Sequence, residues 1–342
     1  MRYRKLGPTG LVVSEICFGT MTFGGDGFWT AIGTQDQATA DSLVKNCING
    51  GVTFFDTADI YSNGLSEKIL GQSIRNLSLA RDQIVIASKC FGRMGPGHNE
   101  IGLSRKHILS AIDASLARLQ LDHLDLYQVH GTDPVTPLEE TMEALDACVK
   151  AGKVRYVGFC NMQAWAAVKA NAIADARHLS RFVSAQIYYS IAGRDIEREL
   201  VPAAKDQGLA ILPWSPLAGG FLSGKFLREG QGPQGSRRTT FDFPPIERER
   251  AFAIMDAIQP MAKARDCSVA RIALAWLLHQ SHVTSVIIGA KTEDQLADNL
   301  LATEVKLTAD ELKALDAVSA LPREYPGWML ERQGGERRAL LG

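Results

Sequence analysis

The chain has 342 residues, 46% of them hydrophobic, enough to bury a large core either as one α/β barrel or as two domains. A formal net charge of −1 and a pI near 6.7 give no reason to expect nucleic acid or an anionic membrane as partner. Six cysteines without a CxxC spacing, and an N-terminus (MRYRK) with no apolar stretch behind it, point to free thiols in the cytoplasm and to no targeting or membrane-spanning segment.

Gly7-Pro8-Thr9-Gly10 is a turn signal between residues 2–6 and 11–13, which predicts a small leading β-hairpin. Short apolar runs then recur near 15–19, 52–56, 83–89, 124–130, 154–159, 182–187, 209–213 and 284–288. Helical patterns lie between them at 36–50, 66–76, 104–119, 137–152, 162–178, 195–207, 249–266 and 268–280. Within one of these, Ile108, Ile112, Leu116 and Leu119 mark a single apolar face. Thr136-Pro137-Leu138-Glu139 reads as a capping box with proline at the first helical position, and Thr308 to Glu311 as another. Eight strands each followed by a helix predict an α/β fold, a single (β/α)8 TIM barrel spanning 1–342, with the hairpin closing its bottom and a C-terminal tail from about 321. No composition shift marks a second domain. The glycine-rich stretch 228–238 reads as a mobile loop over the site.

Three of the runs end in chemistry: Phe54-Phe55-Asp56, Ala87-Ser88-Lys89 and Gln128-Val129-His130. At the C-terminal ends of barrel strands these groups share one rim, where catalytic residues of such folds gather. A lysine at a buried strand tip needs a carboxylate to offset its desolvation, and Asp56 is the candidate. Tyr61, five residues beyond Asp56, can fold back over the mouth. An adjacent ammonium favours the phenolate and is expected to lower the phenol pKa from about 10. The quartet suits protonation of an oxygen while something else attacks its carbon. A purely structural Asp56–Lys89 pair is the plainer alternative. A metal site on Asp56 and His130 finds no supporting His spacing, so no metal is expected. Cys90, next to Lys89, should face away from the strand tip and serve packing.

Phe54-Phe55-Asp56-Thr57-Ala58-Asp59-Ile60-Tyr61, Ala87-Ser88-Lys89 and Leu126-Tyr127-Gln128-Val129-His130 resemble the tetrad motifs of the aldo-keto reductase superfamily, with a likeness running from Arg2 to about Ser319. The resemblance implies NADPH-dependent, reversible carbonyl reduction, with Tyr61 as general acid, Asp56 and Lys89 as its tuning pair and His130 orienting the substrate. It implies nicotinamide contacts from Asp56, Cys160, Asn161, Gln186 and Trp214, with Cys160 standing where the family usually has serine. Ser215, Pro216, Leu217, Gly219, Gly220 and Lys225 would meet the pyrophosphate. Gly289, Ala290, Lys291, Thr292, Gln295, Asp298 and Asn299 would meet the adenosine phosphate. Gln295 stands about where the best-known reductases carry arginine, which leaves Lys291 as the 2′-phosphate contact and keeps NADH open. Thr292 with Gln295 also fits a plain capping box.

Phe23, Phe28 and Trp29 predict an aromatic pocket wall, and no arginine cluster awaits a charged substrate, so a small uncharged aldehyde or ketone is expected. The segment around Tyr325 and Trp328 is a further candidate for shaping the mouth. A second reading is a cofactor-binding regulatory subunit resembling potassium-channel β subunits; a third is a barrel metallohydrolase. The presence of all four catalytic residue types favours the enzyme. The oligomeric state is not specified by the sequence.

Overall fold

The computed structural model describes residues 1–229, 232 and 236–340, without the side chains of 237, 336 and 338; much of the glycine-rich 228–238 stretch therefore lies outside the described residues. The chain opens with the expected hairpin, β1 (Tyr3–Lys5) antiparallel to β2 (Val12–Ser14). Its tip is pressed against the barrel floor. Gly7 has φ +58°, and a Cβ there would lie 2.4 Å from the Val183 carbonyl oxygen, so the turn needs glycine twice over.

Eight parallel strands follow: β3 (Ile16–Gly19), β4 (Phe54–Asp56), β5 (Val85–Cys90), β6 (Leu124–Val129), β7 (Val154–Cys160), β8 (Phe182–Tyr188), β9 (Ala210–Trp214) and β10 (Val286–Ile288). They pair in sequence order, and β10 pairs with β3. A bridge between Ile211 and Val283 brings β9 to the start of β10 and closes the barrel. The helices are α1 (Gln37–Asn49), α2 (Leu65–Asn76), α3 (Arg105–Leu119), α4 (Leu138–Lys150), α5 (Ala164–Arg177), α6 (Leu200–Gln207), α7 (Arg237–Thr240), α8 (Arg248–Ala264), α9 (Val269–His279), α10 (Glu293–Leu300), α11 (Ala309–Val318) and α12 (Gly327–Ala339). No described helix is long and apolar enough to cross a membrane.

Strand alternation sorts the core into two bodies. One set, including Phe18, Phe55, Ile86, Tyr127, Val157 and Phe159, packs outward against the helices. The other, including Cys17, Phe54, Val85, Ala87, Leu126, Ala210 and Leu212, fills the barrel interior, with Leu6 and Val13 of the hairpin plugging it from below. Cys90 belongs to the outer set, facing away from the axis as its parity requires.

The Thr308–Glu311 capping box is present in full. The one expected at Thr136 is not. Asp133 collects the Val135 and Thr136 amides and the Thr136 hydroxyl (2.8 Å for the last), so the threonine is committed to the loop; the helix starts at Leu138 with Pro137 as its N-cap. Residues 195–199 form a separate turn before α6. The tail carries α12, which the sequence pattern did not predict, and Arg198 ties the tail down through Glu324.

Candidate active site

Beyond β4 the chain runs alongside β5: the Thr57 amide donates to Ala87 O (2.9 Å) and the Asp59 amide to Lys89 O (3.2 Å). Ser62 and Asn63 then take left-handed conformations (φ 48° and 54°), and Gly64 a third (φ 87°), turning the chain so that the Tyr61 ring lies over the barrel mouth. A non-glycine residue held there costs about 1–3 kcal/mol and needs support from its neighbours. Ser62 supplies some, donating its hydroxyl to Phe23 O and accepting from the Gly25 amide, both at 3.1 Å.

Lys89 has no exposed surface, yet its ammonium is fully answered. It donates to Asp56 Oδ1, to Thr57 O at 2.7 Å and to the Tyr61 hydroxyl at 3.2 Å. The second oxygen of Asp56 accepts from Gln128 Nε2 (3.2 Å) and Gln186 Nε2 (2.9 Å). Burial alone would discharge Lys89, but the Asp56 carboxylate and the Tyr61 oxygen outweigh it and hold the ammonium charged. Burial pushes the Tyr61 phenol up to about 12, and the opposing pull of Lys89 recovers only part of the rise. The expected net lowering is thus reversed: desolvation wins, and the phenol keeps its proton at neutral pH. The His130 ring lies edge-on to Tyr61, centroids 5.6 Å apart; burial, then the charge of Lys89, lowers its pKa and keeps the imidazole neutral.

Asn161, with φ 50° at the end of β7, accepts a hydrogen bond on Oδ1 from Trp214 Nε1 at 2.9 Å. Gln186 has given its Nε2 to Asp56. Asn161 Nδ2 and Gln186 Oε1 are then a donor and an acceptor at the same rim, a complementary pair for a carboxamide, while Gln128 Oε1 faces Gln186 Nε2 at 3.5 Å. Cys160 is buried opposite Gln186, and burial drives its thiol pKa up. Beyond Trp214, Ser215, Ala218, Gly219 and Gly220 all have positive φ (51°, 50°, 67° and 91°), curling the backbone at the mouth. Pro216 is buried, Leu217 half-buried and Lys225 exposed. A Cβ on Gly220 would meet nothing within 4 Å, so the curl borders open space.

Gly289 and Ala290 lead into α10, where Thr292 caps the Gln295 amide at 3.3 Å, while the Gln295 side chain accepts from the Lys291 amide at 2.9 Å rather than completing a box. Asp298 is taken up by Arg271 (2.7 Å) and Ser268 (2.5 Å), tying α10 to α9, and Asn299 is buried.

The pocket wall is only partly as expected. Trp29 lies edge-on to Tyr61, centroids 5.5 Å apart, and Phe28 meets Phe241 at 5.2 Å. Phe241 stacks on Phe243, which stacks on Trp214, which touches Tyr188. Phe23 is no part of this wall. It has no exposed surface and packs against Phe18 beneath the loop, where its backbone is pinned by the Ser62 hydroxyl. Gln128 enters the sequence reading only as part of a motif, and nothing in the sequence marks Phe241, Phe243 or Tyr188. The signal for Gln128 was its position: it shares the parity of His130, a polar residue on the inward face of a buried strand. Among the described residues no three His, Cys, Asp or Glu side chains come together as metal ligands.

The model of the Aldo/keto reductase family matches residues 15–320. An uncharacterised oxidoreductase of Bacillus subtilis (strain 168), YrpG, is 37% identical, covering 93% of this chain and 96% of its own. The versiconal hemiacetal acetate reductase of Aspergillus parasiticus is 33% identical over 96% and 99% of the two chains. A probable voltage-gated potassium channel β subunit of Arabidopsis thaliana is 35% identical over 89% and 92%. The chain belongs to the Aldo/keto reductase family, and with it to the carbonyl oxidoreductases.

Proposed function

We propose that the protein reduces a small uncharged aldehyde or ketone with NADPH, reversibly, and that Tyr61 is the general acid. The observation that carries this reading is the Tyr61 hydroxyl 3.2 Å from a buried, fully paired Lys89 ammonium. A phenol held near pKa 12 keeps its proton until a carbonyl oxygen beside it gains negative charge. When Tyr61 gives up that proton, the phenolate forms within hydrogen-bond reach of an ammonium already in place, so no charge has to be moved at that moment. Asp56 keeps Lys89 charged and aimed. Neutral His130 can donate an N–H to the same oxygen and hold it against Tyr61.

The donor set suits a nicotinamide: Asn161 Nδ2 and Gln186 Oε1 match the acceptor and donor of its carboxamide, and the ring of Trp214 offers a stacking face. The curled backbone from Ser215 to Gly220 with Lys225, and Lys291 with the start of α10, are suited to the nucleotide's phosphates. When bound, the nicotinamide supplies the hydride. NADPH is favoured over NADH by Lys291. The aromatic arc from Trp29 to Tyr188 suits an uncharged substrate, and the cytoplasm suits six free cysteines.

A panel of aldehydes and ketones, followed at the nicotinamide absorbance with NADPH and NADH in parallel, tests the reading. Turnover of none of them would overturn it. The Arabidopsis thaliana relative favours a second reading, a cofactor-binding regulatory subunit; that reading requires tight nucleotide binding without steady turnover of any carbonyl.

A further inference from the structure

Directly behind the tetrad, on the outer side of β5, lies a carboxylate with no counter-ion. Asp59 has no exposed surface, and neither of its oxygens has a well-formed hydrogen bond. A buried ionised carboxylate in that condition is far costlier than a neutral one. Its surroundings offer no relief. From α2, Glu67 is a second buried acid, and it takes the Arg118 guanidinium at 2.6 Å and the Ser88 hydroxyl at 2.5 Å. From α3, Arg118 is divided between Glu67 and Ser115. From β5, Lys89 is fully used by Asp56, Thr57 and Tyr61, and Cys90 is a buried neutral thiol. From β6, the Tyr127 hydroxyl is buried beside the Cys90 thiol. From α4, Cys148 adds another thiol. Two acids thus share one guanidinium, and Glu67 holds it.

We propose that Asp59 is a positioning residue for Tyr61 and Lys89, and that it works with its carboxyl protonated, as a neutral acid wedged behind β5. Its consequence for catalysis rests on the function proposed above; its protonation does not. The amide of Asp59 is what fastens this segment to Lys89 O, two residues before Tyr61 and two after the Thr57 carbonyl that holds Lys89. A neutral side chain can stay seated there. An ionised one must draw in water or swing outward, pulling 57–61 off β5 and loosening both contacts to the Lys89 ammonium. Burial first, then the charge of Glu67, raises this carboxyl to about 8, while Ile60 NH, Arg118 and Lys89 offset only part of the rise.

The sign of the pH dependence follows. The folded state keeps this proton up to about pH 8, and the unfolded chain releases it near the ordinary carboxylate value of about 4. The stability from this group is therefore complete below about pH 4 and is lost as pH rises through 8. Between those limits the unfolding equilibrium shifts by up to about 10-fold per pH unit.

Asp59→Asn, which copies the neutral acid, is the test. Urea melts of both proteins from pH 5 to pH 9 should show the variant gaining on wild type by about that factor per unit, with the difference levelling off above pH 8. In the carbonyl assay, wild-type kcat should fall above pH 8 while the variant stays flat, with cofactor KM little changed. A variant destabilised by the same factor at every pH would overturn the proposal, because an ionised carboxylate would then be what the fold requires. Should Asp59→Asn not fold, infrared spectroscopy of the wild type decides. A protonated-carboxyl band present at pH 6 and titrating near pH 8 supports the proposal, and its absence at pH 6 overturns it. If no carbonyl is turned over, the function reading fails, while the melts and the infrared band still decide the state of Asp59.

Discussion

The lower and upper halves of the barrel interior are built from the same strands with the same parity, yet they have opposite chemistry. Along β4 the axis is faced by Phe54 and then Asp56; along β5 by Val85, Ala87 and then Lys89; along β6 by Leu126 and then Gln128. Below, hydrocarbon packs on the hairpin's Leu6 and Val13, and each buried methylene contributes roughly 0.8 kcal/mol. Above, an ion pair and two amides are sequestered at a desolvation cost their mutual contacts offset only while every member is present. The lower half tolerates change in proportion to the volume removed; the upper half depends on completeness. That difference can be broken by mutation from either side.

The largest effect is expected in the upper half. Lys89→Met leaves Asp56 buried without its cation, and loss of one partner of such a pair costs about 3–5 kcal/mol. Turnover should vanish with it, since the phenolate has lost its ammonium. Adding Asp56→Leu should return most of the stability and none of the turnover. Urea melts and a carbonyl assay on both variants separate the two quantities. A single variant as stable as wild type would show that the upper layer is not the interdependent unit described here.

Tyr61→Phe removes only a hydroxyl at the edge of that unit, and Lys89 keeps Asp56 and Thr57 O. Stability should change little, whereas turnover should fall about 10²- to 10⁴-fold, the usual contribution of general acid catalysis. Retention of more than about a tenth of wild-type turnover, with chemistry limiting, would take Tyr61 out of the proton-transfer role.

Leu126→Ala probes the lower half. This side chain is wholly buried in the interior packing, and truncation in such a place costs about 2–5 kcal/mol, depending on how far the cavity collapses. Turnover per folded molecule should stay near wild type, because the rim is positioned by backbone hydrogen bonds and the polar network. A fall in turnover matching that of Lys89→Met would mean that the two halves are mechanically one.

The lower half was also the more legible in sequence. Eight short apolar runs, each followed by a helical pattern, predict the strands and their order, and the Gly7-Pro8-Thr9-Gly10 turn signal predicts the hairpin, because strands buried on both faces read as unbroken apolar runs. Asp56 and Lys89 stand out as candidates because a charged residue ending an apolar strand is rare enough to need a reason, whereas Tyr61 stands out by its place in the loop five residues beyond Asp56. Gln128 carried the same inward parity as His130, but a glutamine in a strand is unremarkable until its partner across the barrel is known. Phe23 differs from expectation because an aromatic residue in a loop gives no sign of whether it faces the mouth or the core; its full burial against Phe18 decides for the core. The pKa of Tyr61 could not be read because its sign depends on how much water burial removes, and composition does not carry that quantity. Asp59 stood within the tetrad motif, unmarked, because its distinguishing property is the lack of partners in three dimensions.

The smallest effect is expected outside both halves, where the nucleotide would lie on the surface of the barrel end. Lys291 precedes α10, whose N-terminus is capped by Thr292, and its amide is held by Gln295 Oε1. The ammonium should add attraction for a 2′-phosphate that NADH lacks. Charge-assisted contacts of this kind contribute about 1.5–3 kcal/mol, or about 10- to 150-fold in affinity. Lys291→Ala should therefore weaken NADPH by around that factor and leave NADH almost unchanged, as followed by fluorescence titration with Trp214 as reporter. Added salt should erode wild-type NADPH binding more than NADH binding, because a half-exposed phosphate contact is screened within about 10 Å at 0.1 M ionic strength. Equal weakening of both nucleotides would assign Lys291 to supporting the helix, and tighter wild-type binding of NADH would overturn the NADPH preference itself.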